Sequence, residues 1–552
     1  MEEDGIETPA SLAAFGVSMR DVLAAVRERV DGFAALPLTA LSARPLSGGM
    51  SNLMFAVSAP AAAPAAGGSG SGGECCGGLA PWAGAAAPSA EAAVETEVLA
   101  ASPGAPTRTP VVTRVVARIL SPQLDAIIDR MREHQIVSYL STTGIGPRLF
   151  GTAAIRPPAG GPSLLLRIEE FIEGRTLTVG DLRHNLAAGE SMARKVARLH
   201  AQRPALRRHE SYPGVEPAEF PVPVPLPASV RLDNTLEGTL RRYVLLAGAI
   251  ADAPVSSAAS PAAAAELRAL LAALPWLAEV EWLVALLEAH GGPTVLAHCD
   301  LQEGNWMQCT STGKLYMIDY EYACYNFRAF DLGNLYCEHT FDYTCDTPPG
   351  YTHELAYPSL AWQRAILAQY AAQASRLAHA AAHHPVHATR RSSVPDPAAL
   401  GTGEEASRGP DVPADAAEAR LRTTLAPDAL AAAFPGDDDD DVRSLASEAR
   451  VGILASHLYW ALWSIVMGAG KLGIVPRLPP AVVDAAAAAA AAMPPSPATF
   501  DRPAAGTPPP PQVATGHSVF SYGHYGATRA AEYLRLKAEL LADVPAWFAP
   551  AS

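Results

Sequence analysis

Three long stretches rich in alanine and proline divide this 552-residue chain. They cover roughly 59–109, 381–444 and 476–516. Such sequences contain too few bulky apolar side chains to offset the entropy that is lost on ordering, so we expect insertions outside the core. The segments between them do not repeat one another. The sequence therefore predicts one folded unit with three insertions, although length alone would suggest about three or four domains.

Charge and cysteine content exclude several classes of protein. The chain has 41 basic and 56 acidic side chains, a formal net charge of −15, and a run of aspartates from Asp437 to Asp441 that we expect to be a solvated loop. Because the chain is acidic, we expect no nucleic-acid partner. Seven cysteines without paired-ligand spacing argue against a disulfide framework and a zinc module. An acidic N-terminus without an apolar signal segment predicts a cytoplasmic location.

Hydrophobic periodicity predicts the order of the secondary-structure elements. Strand-like segments lie at 39–58 (around a glycine turn), 111–120, 164–172, 294–300 and 314–322. Helical segments lie at 18–36, 123–142, a stretch that ends near His200, 236–252, 262–289, 355–380, 451–470 and 523–543.

The helical segment at 451–470 is long and apolar enough to cross a bilayer, since its twenty residues include no Asp, Glu, Lys or Arg. It also contains Ser456, His457, Ser464 and three glycines, and no other segment resembles a span. A membrane anchor and a buried helix would both explain it. We favour the buried helix and expect no stable membrane insertion.

The stretch from 294 to 322 carries the strongest chemical signal. Two apolar strand-like segments enclose His298, Asp300 and Asn305 in the spacing H-x-D-x-x-x-x-N, and the second leads into Asp319. The catalytic loop of protein kinases has this spacing, with a metal-binding aspartate about twenty residues later. There, the first aspartate meets the accepting hydroxyl, while the asparagine and second aspartate bind magnesium. The spacing predicts a phosphotransferase site, whereas a capping aspartate and a turn asparagine would explain only the separate residues.

The N-terminal half contains residues that such a site needs. The turn between the first two strands lets backbone N–H groups approach phosphate, although it would also serve simply to join the strands. Its candidate residues are Gly48, Gly49, Ser51 and Asn52. Arg118 on the next strand is a candidate for contacting nucleotide phosphates. Glu133 on the following helix is a candidate for holding that guanidinium, as a helix glutamate holds the strand lysine in protein kinases.

Together these motifs resemble those of the choline/ethanolamine kinase family. The segments that carry the resemblance are HCDLQEGN (298–305), IDYEYACYNFRAFDLGNLYCE (318–338) and SHLYWALWSIV (456–466), with support from GGMSN (48–52), GIGPRLFG (144–151) and EEFIEGRTL (169–177). The resemblance implies an α+β, two-lobed protein-kinase-like fold. A small N-terminal lobe with an antiparallel sheet would bind ATP over 18–175, and a larger, mostly helical lobe over 176–548 would bind substrate and carry catalysis.

The resemblance also implies an activity and its residues. The family transfers the γ-phosphate of ATP to the hydroxyl of choline or ethanolamine, the first step of phosphatidylcholine and phosphatidylethanolamine synthesis, and requires Mg²⁺. By this resemblance Asp300 is the catalytic base, and Asn305 and Asp319 hold the metal. Arg118 and Glu133 fall where the family has its phosphate-contacting arginine and that arginine's partner. The implied substrate pocket consists of acids, aromatic residues and one amide: Gln302, Tyr322, Glu338, Tyr343, Trp460, Trp463 and Tyr525.

The chemistry of an ammonium ion supports such a pocket independently. A cationic head group is recognised by aromatic ring faces and a nearby negative charge. Trp460 and Trp463 lie three residues apart in one helical segment, so both side chains project from the same face. Without the upstream motif, two core tryptophans would be the better explanation of the pair.

Two positions depart from the family pattern. Cys299 stands where the family commonly has asparagine, and His339 replaces a common tryptophan beside Glu338. We expect His339 to trim the aromatic cage, and a smaller cage would suit ethanolamine. Gln302 and Glu303 are more similar to choline kinases, however, so substrate preference stays open. The assembly state, including a homodimer, stays open as well. Two other functions remain: a small-molecule kinase of the aminoglycoside phosphotransferase type, and a catalytically inactive kinase-like scaffold.

Overall fold

The computed structural model describes most of the periodic segments. The described residues are 6–13, 15–46, 52–60, 113–120, 128–157, 164–204, 235–251, 253, 260–354, 357–383, 440–474 and 519–541. The insertions predicted at 59–109 and 381–444 lie mostly outside these ranges, and the one at 476–516 lies entirely outside them. The glycine turn with Gly48, Gly49 and Ser51 also lies outside the described residues.

A five-stranded antiparallel sheet forms the smaller lobe, in the order β1-β2-β3-β5-β4. Its strands are β1 (Ser42–Leu46), β2 (Asn52–Ser58), β3 (Arg114–Leu120), β4 (Leu149–Ile155) and β5 (Leu164–Glu170). β3 and β5 lie inside the sheet and are rich in Val, Ile and Leu, which suit a strand that is buried on both faces. The pairing places Arg118 directly opposite Arg167, so two guanidinium groups share one face of the sheet.

Three helices accompany this sheet: α1 (Ala10–Ala13), α2 (Met19–Arg29) and α3 (Arg130–Leu140). α2 begins at a capping box in which Ser18 and Asp21 each bind the other's backbone N–H, and its apolar face joins a core with the sheet. α3 instead extends Ile136 and Leu140 into the core of the larger lobe. Since α3 is also held to the sheet through Glu133, it connects the two lobes.

The larger lobe is mostly helical. Its helices are α4 (Val179–His184), α5 (Leu186–His200), α6 (Leu236–Ala251), α7 (Pro261–Ala272), α8 (Trp276–His290), α9 (Arg328–Glu338), α10 (Leu360–His383), α11 (Asp440–Lys471) and α12 (Tyr522–Leu541). Its short strands are β6 (Gly174–Thr176), β7 (Thr294–Ala297), β8 (Trp306–Cys309), β9 (Leu315–Met317), β10 (Cys324–Phe327), β11 (Phe341–Asp342) and β12 (Thr352–His353). β7 pairs antiparallel with β10, and β6, β8 and β9 form a three-stranded sheet.

Several predicted element boundaries were wrong, and three of them have a clear physical reason. The helix expected over 262–289 is two helices, because Pro275 has no backbone N–H to continue the first one. The strand expected over 314–322 ends at Met317, since Asp319 adopts a left-handed backbone conformation. α11 starts at Asp440, inside the range 381–444 that was predicted to be an insertion. Aspartates in the first turn of a helix are stabilised by the positive end of the helix dipole, which explains the earlier start.

α11 is the central helix of the larger lobe. It is long and apolar enough to cross a membrane, but 89% of its most apolar window is buried inside the protein. Its side chains from Val451 to Val466 are buried, as the sequence predicted for this helix. It packs against α6, α9 and α12, so the apolar surface that raised the question of a membrane span faces other helices.

α9 and α11 cross with their backbones in direct contact. A Cβ atom on Gly452 of α11 would lie 1.7 Å from the carbonyl oxygen of Ala329, and one on Gly333 of α9 would lie 2.1 Å from the carbonyl carbon of Gly452. Only glycine fits at either position. The crossing matters for function because α9 and α11 each contribute side chains to the site described below.

We expect Gly452→Ala to destabilise the protein by about 1–3 kcal/mol or more, because the added methyl group forces the two helices apart. The melting temperature should fall by about 2–4 °C for each kcal/mol. Gly470→Ala is the matched control in the same helix, since a Cβ atom there would meet nothing within 4 Å. The control should gain up to about 1 kcal/mol from helix propensity. Equal melting temperatures for the two variants would contradict the close crossing.

Candidate active site

The loop from His298 to Asn305 follows β7 and has an unusual backbone. Cys299 has φ of +68° and Asp319, after β9, has φ of +65°, whereas non-glycine residues rarely have positive φ. Each such conformation costs about 1–3 kcal/mol and persists only where the surroundings enforce it. Asparagine adopts positive φ more readily than cysteine does. Cys299 therefore has the same kind of backbone conformation at a higher energetic cost than asparagine would have.

Asp331 and Asn334 of α9 enforce the loop conformation. The Asp331 carboxylate accepts hydrogen bonds from the backbone N–H groups of His298 and Cys299, both at 2.8 Å. One turn later, Asn334 Oδ1 accepts from the backbone N–H of Leu301 at 2.7 Å. Because residues three apart on a helix share a face, one face of α9 holds successive amides of the loop.

Two buried histidines complete this support. His200 Nε2 lies 3.0 Å from Asp331 Oδ2, and its Nδ1 lies 2.9 Å from the hydroxyl of Tyr370. His298 Nε2 donates to the backbone carbonyl of Ile318 at 3.0 Å. Burial lowers the pKa of His298 and favours the neutral ring. His298, the histidine of the motif, therefore connects the loop to the segment that carries Asp319.

Asp300 is oriented by two side-chain amides. Asn305 Nδ2 donates to Asp300 Oδ2 at 2.7 Å and to the Asp300 carbonyl at 2.9 Å, and Gln302 Nε2 donates to Oδ2 at 3.0 Å. Among the described residues nothing binds Oδ1, which leaves that atom available as an acceptor. Burial and the nearby Glu338 carboxylate raise the pKa of Asp300 from 3.8 to about 7.

Arg118 lies in the site, but it does not pair with Glu133, its predicted partner. Its Nη1 lies 3.2 Å from Asp319 Oδ2 and its Nε lies 3.6 Å from Glu169 Oε2. In the described part of the chain, Glu133 pairs instead with Arg130 at 2.8 Å and Arg167 at 2.5 Å.

The expected Arg118–Glu133 pair was therefore wrong. The reason is the strand register, which places Arg167 beside Arg118 and lets Arg167 occupy the glutamate. Burial opposes ionisation of Glu133, but Arg167 and Arg130 outweigh it and hold its pKa down to about 2.

Glu321 is an acidic residue of the site that sequence reasoning missed. Its Oε2 accepts a hydrogen bond from Asn52 Nδ2 at 3.4 Å and lies 3.6 Å from Arg130 Nη1, so it joins the sheet to the larger lobe. Burial and the neighbouring Asp319 raise its pKa to about 8. The available signal was its position two residues after Asp319, since the sequence predicted one strand through both residues and a strand places such side chains on one face.

The donor atoms near Asp319 suit a magnesium ion. Asp319 Oδ1 is buried and has no hydrogen-bond partner among the described residues. Asn305 uses its Nδ2 group to bind Asp300, which orients its amide oxygen as the remaining acceptor. The described residues contain no cluster of three or more His, Cys, Asp or Glu that could hold a metal. Magnesium does not need one, because it is commonly held by one or two carboxylates with water and phosphate oxygens.

A cavity of about 130 Å³ opens beside Asp300. The structure brings together all the residues predicted for the substrate pocket around it: Gln302, Tyr322, Glu338, Tyr343, Trp460, Trp463 and Tyr525. Asp300, Asn305 and Asp319 line the same cavity. Met467 and Phe520, which sequence reasoning did not select, also contribute walls.

The aromatic walls meet edge to face. The rings of Tyr322 and Trp460 lie 5.2 Å apart at 72°, and those of Trp460 and Trp463 lie 5.0 Å apart at 76°. Trp463 Nε1 donates to the Tyr322 hydroxyl at 2.9 Å, which fixes both rings. The tryptophans therefore belong both to the core of the larger lobe and to the cavity.

His339 does not line the cavity. Its Nδ1 lies 2.8 Å from the Leu335 carbonyl, and its ring packs at 4.3 Å from that of Trp362. The expectation that histidine at this position trims the aromatic cage was therefore wrong, because the side chain points toward α10 rather than toward the cavity.

The sequence matches one protein family over most of its length. The family profile described as choline/ethanolamine kinase matches residues 95–533. The chain belongs to the choline/ethanolamine kinase family. The two-lobed, protein-kinase-like α+β fold expected from the sequence is confirmed by this membership together with the sheet and helices described above.

Individual relatives are distant. Choline/ethanolamine kinase from rat is 27% identical over 340 residues, which cover 61% of this chain and 64% of the rat protein. Choline/ethanolamine kinase from human is 28% identical over 257 residues, which cover 46% of this chain and 54% of the human protein. The chain thus matches less than two thirds of the length of these relatives. The crystal structure of choline kinase from Cryptosporidium parvum superimposes with a TM-score of 0.49 at 16% identity, covering 94% of this chain and 96% of that one.

We expect Asp331→Ala to loosen the loop that carries Asp300. The change leaves the amides of His298 and Cys299 buried without an acceptor and should cost about 3–5 kcal/mol. Hydrogen exchange followed by mass spectrometry should show faster exchange in peptides that cover 298–305. Asp181→Ala is the control, because Asp181 caps a helix near the surface and its loss should cost only about 1 kcal/mol. Unchanged exchange in the loop would contradict the role of Asp331.

Proposed function

We propose that this protein transfers the γ-phosphoryl group of ATP to the hydroxyl of a small amino-alcohol, choline or ethanolamine. The observation that carries the proposal is a single cavity that joins an oriented carboxylate, Asp300, to an aromatic box at Trp460 and Trp463. The first suits a hydroxyl acceptor and the second suits a cationic head group. Membership of the choline/ethanolamine kinase family supports the same reaction.

In the proposed reaction Asp300 positions the substrate hydroxyl and accepts its proton. Asn305 and Gln302 bind Oδ2, so Oδ1 is the atom that meets the hydroxyl. A raised pKa makes this carboxylate a better proton acceptor than an ordinary aspartate, provided that it is ionised. The hydroxyl oxygen then attacks the γ-phosphorus in line with the leaving oxygen of ADP.

The phosphate end of the site would be formed by Arg118, Asn305 and Asp319. Asn305 and Asp319 would hold magnesium, which neutralises charge on the phosphate oxygens when it is bound. Arg118 is buried beside Asp319 and would donate to phosphate oxygens from a water-poor surface, where such contacts are strong. The predicted turn with Gly48, Gly49, Ser51 and Asn52 would cover the phosphates, and Glu133 would act indirectly by fixing Arg167 and Arg130.

The ammonium end of the site would be formed by ring faces and acids. Tyr322, Trp460 and Trp463 line the cavity, and so does Glu338, whose carboxylate is paired with Arg529. A cation over an aromatic face gains about 2 kcal/mol or more when it is desolvated. An aminoglycoside consists of several rings, whereas a cavity of about 130 Å³ between aromatic side chains suits a small cation better. Retention of Asp300, Asn305 and Asp319 argues against an inactive scaffold. The phospholipid pathway and a cytoplasmic location remain predictions.

We expect Asp300→Asn to lower kcat by about 10²- to 10⁴-fold, because asparagine cannot accept the hydroxyl proton. The variant should stay folded, since a buried carboxylate with a raised pKa is destabilising when ionised. Activity is measured with MgATP on choline and on ethanolamine, and folding by thermal unfolding at pH 8. Asp346→Asn, on an exposed loop, is the control and should retain full activity. Near-normal turnover in Asp300→Asn would sink the proposal.

The pH dependence should follow the ionisation of Asp300. Because the folded-state pKa is raised to about 7, the active carboxylate forms only as pH rises through about 7, and kcat/KM should rise with it. Glu338→Gln removes a neighbouring negative charge and should move this acidic limb to lower pH. Initial rates between pH 5.5 and 8.5 at saturating MgATP provide the measurement. A flat profile in the wild type would show that Asp300 is not the base.

A further inference from the structure

Arg529 of α12 is buried behind the cavity and binds three of its walls. Its side chain is 0% exposed. Its Nη2 donates to Glu338 Oε1 at 2.8 Å and to the Tyr343 hydroxyl at 3.1 Å, and its Nε donates to the Tyr525 hydroxyl at 2.9 Å. The guanidinium also lies 3.9 Å from the centroid of the Phe341 ring. No residue predicted for the site corresponds to this arginine.

The same contacts occupy the acceptor atoms of Glu338. Besides Arg529, Asn334 Nδ2 donates to Oε1 at 3.2 Å, and the Tyr343 hydroxyl donates to Oε2 at 2.9 Å. A carboxylate has about four acceptor positions, so most of those on Glu338 are already used by the protein. Glu338 is also 1% exposed, which leaves little room for a direct contact with a ligand.

The hydroxyl groups at this end of the cavity are similarly engaged. The Tyr525 hydroxyl accepts from Arg529 and lies 3.2 Å from that of Tyr343, and the Tyr322 hydroxyl accepts from Trp463 Nε1. The polar atoms at this end of the cavity therefore already have partners within the protein. The Arg529 charge also offsets that of Glu338.

A primary ammonium and a quaternary ammonium respond differently to such a wall. A primary ammonium carries three N–H donors, and each one that is buried without an acceptor is costly. A quaternary ammonium has no N–H group and spreads its charge over methyl groups that pack against rings. Acceptors that are already occupied thus penalise the first and not the second.

We propose that Arg529 is a specificity-determining residue that makes this cavity prefer a quaternary ammonium over a primary ammonium. It does so by occupying the oxygen atoms of Glu338, Tyr343 and Tyr525. This inference rests on the proposed function, since it concerns the amino-alcohol that the same cavity binds. Arg529 acts through other residues and makes no contact with the reacting hydroxyl, so it should alter substrate binding more than turnover.

The test compares choline with ethanolamine in the wild type, Arg529→Met and Tyr343→Phe. Dissociation constants come from calorimetry and kcat/KM from initial rates with MgATP. We expect the wild type to prefer choline at least tenfold by both measures, as follows from about one unsatisfied N–H donor. Arg529→Met should shift the ratio toward ethanolamine by about tenfold. Tyr343→Phe, which frees Glu338 Oε2 but keeps the bond from Arg529 to Oε1, should shift it by about threefold. Arg535→Met on the same helix is the control and should leave the ratio unchanged, because Arg535 pairs with Glu532 and Glu539 outside the cavity.

The outcomes separate the two proposals. A wild type that prefers ethanolamine, or variants that lose both substrates equally, would overturn the role of Arg529. If Arg529→Met does not fold, Tyr343→Phe decides the question, because it keeps the buried ion pair with Glu338. If no amino-alcohol is phosphorylated but the ratio of dissociation constants shifts as expected, the proposed reaction fails and the specificity role of Arg529 stands.

Discussion

The Asp331 carboxylate holds the candidate active site together. It is fully buried, and it binds two backbone amides of the loop that carries Asp300 as well as the ring of His200. These contacts compensate for the left-handed conformation of Cys299, which the loop needs in order to turn. Farther along the same helix, Asn334 binds the next part of the loop and also Glu338 in the cavity wall. α9 thus fixes the position of the Asp300 loop relative to Glu338 in the cavity wall. Its close glycine contact with α11 brings Trp460 and Trp463 to the same cavity.

The distribution of charge in the site follows from burial. Low solvent exposure raises the pKa values of Asp300 and Glu321, since each carboxylate ionises less readily away from water and beside another acid. Arginines do the opposite at Glu133, whose pKa falls to about 2. Asp300 has no arginine beside it among the described residues, while Glu133, Glu321 and Glu338 each have one within 3.6 Å. Such an arrangement suits cations, and the proposed reaction would supply two of them, a magnesium ion and an ammonium group.

Much of the fold and the site was predictable from local patterns. The H-x-D-x-x-x-x-N spacing identified Asp300 and Asn305, and helical spacing placed Trp460 and Trp463 on one face; the structure lines one cavity with all four. Predictions failed where the answer depended on a partner distant in sequence. Glu133 pairs with Arg167 because two strands align in a particular register, and His339 packs on Trp362 because α10 lies there. Neither arrangement leaves a periodic signal in the sequence.

The sequence by itself determined the family, the order of the main elements and most of the acids and aromatic residues of the cavity, because these depend on residue types at short spacings. Only the tertiary structure decided which charges pair and which atoms remain available. Arg529 shows the difference, since it lies 191 residues from Glu338 and yet binds it at 2.8 Å. In the sequence it is one arginine in an amphipathic helix. Helices that are far apart in the chain pack together and bury it beside an acid, where it supports the cavity wall. No local pattern encodes that packing.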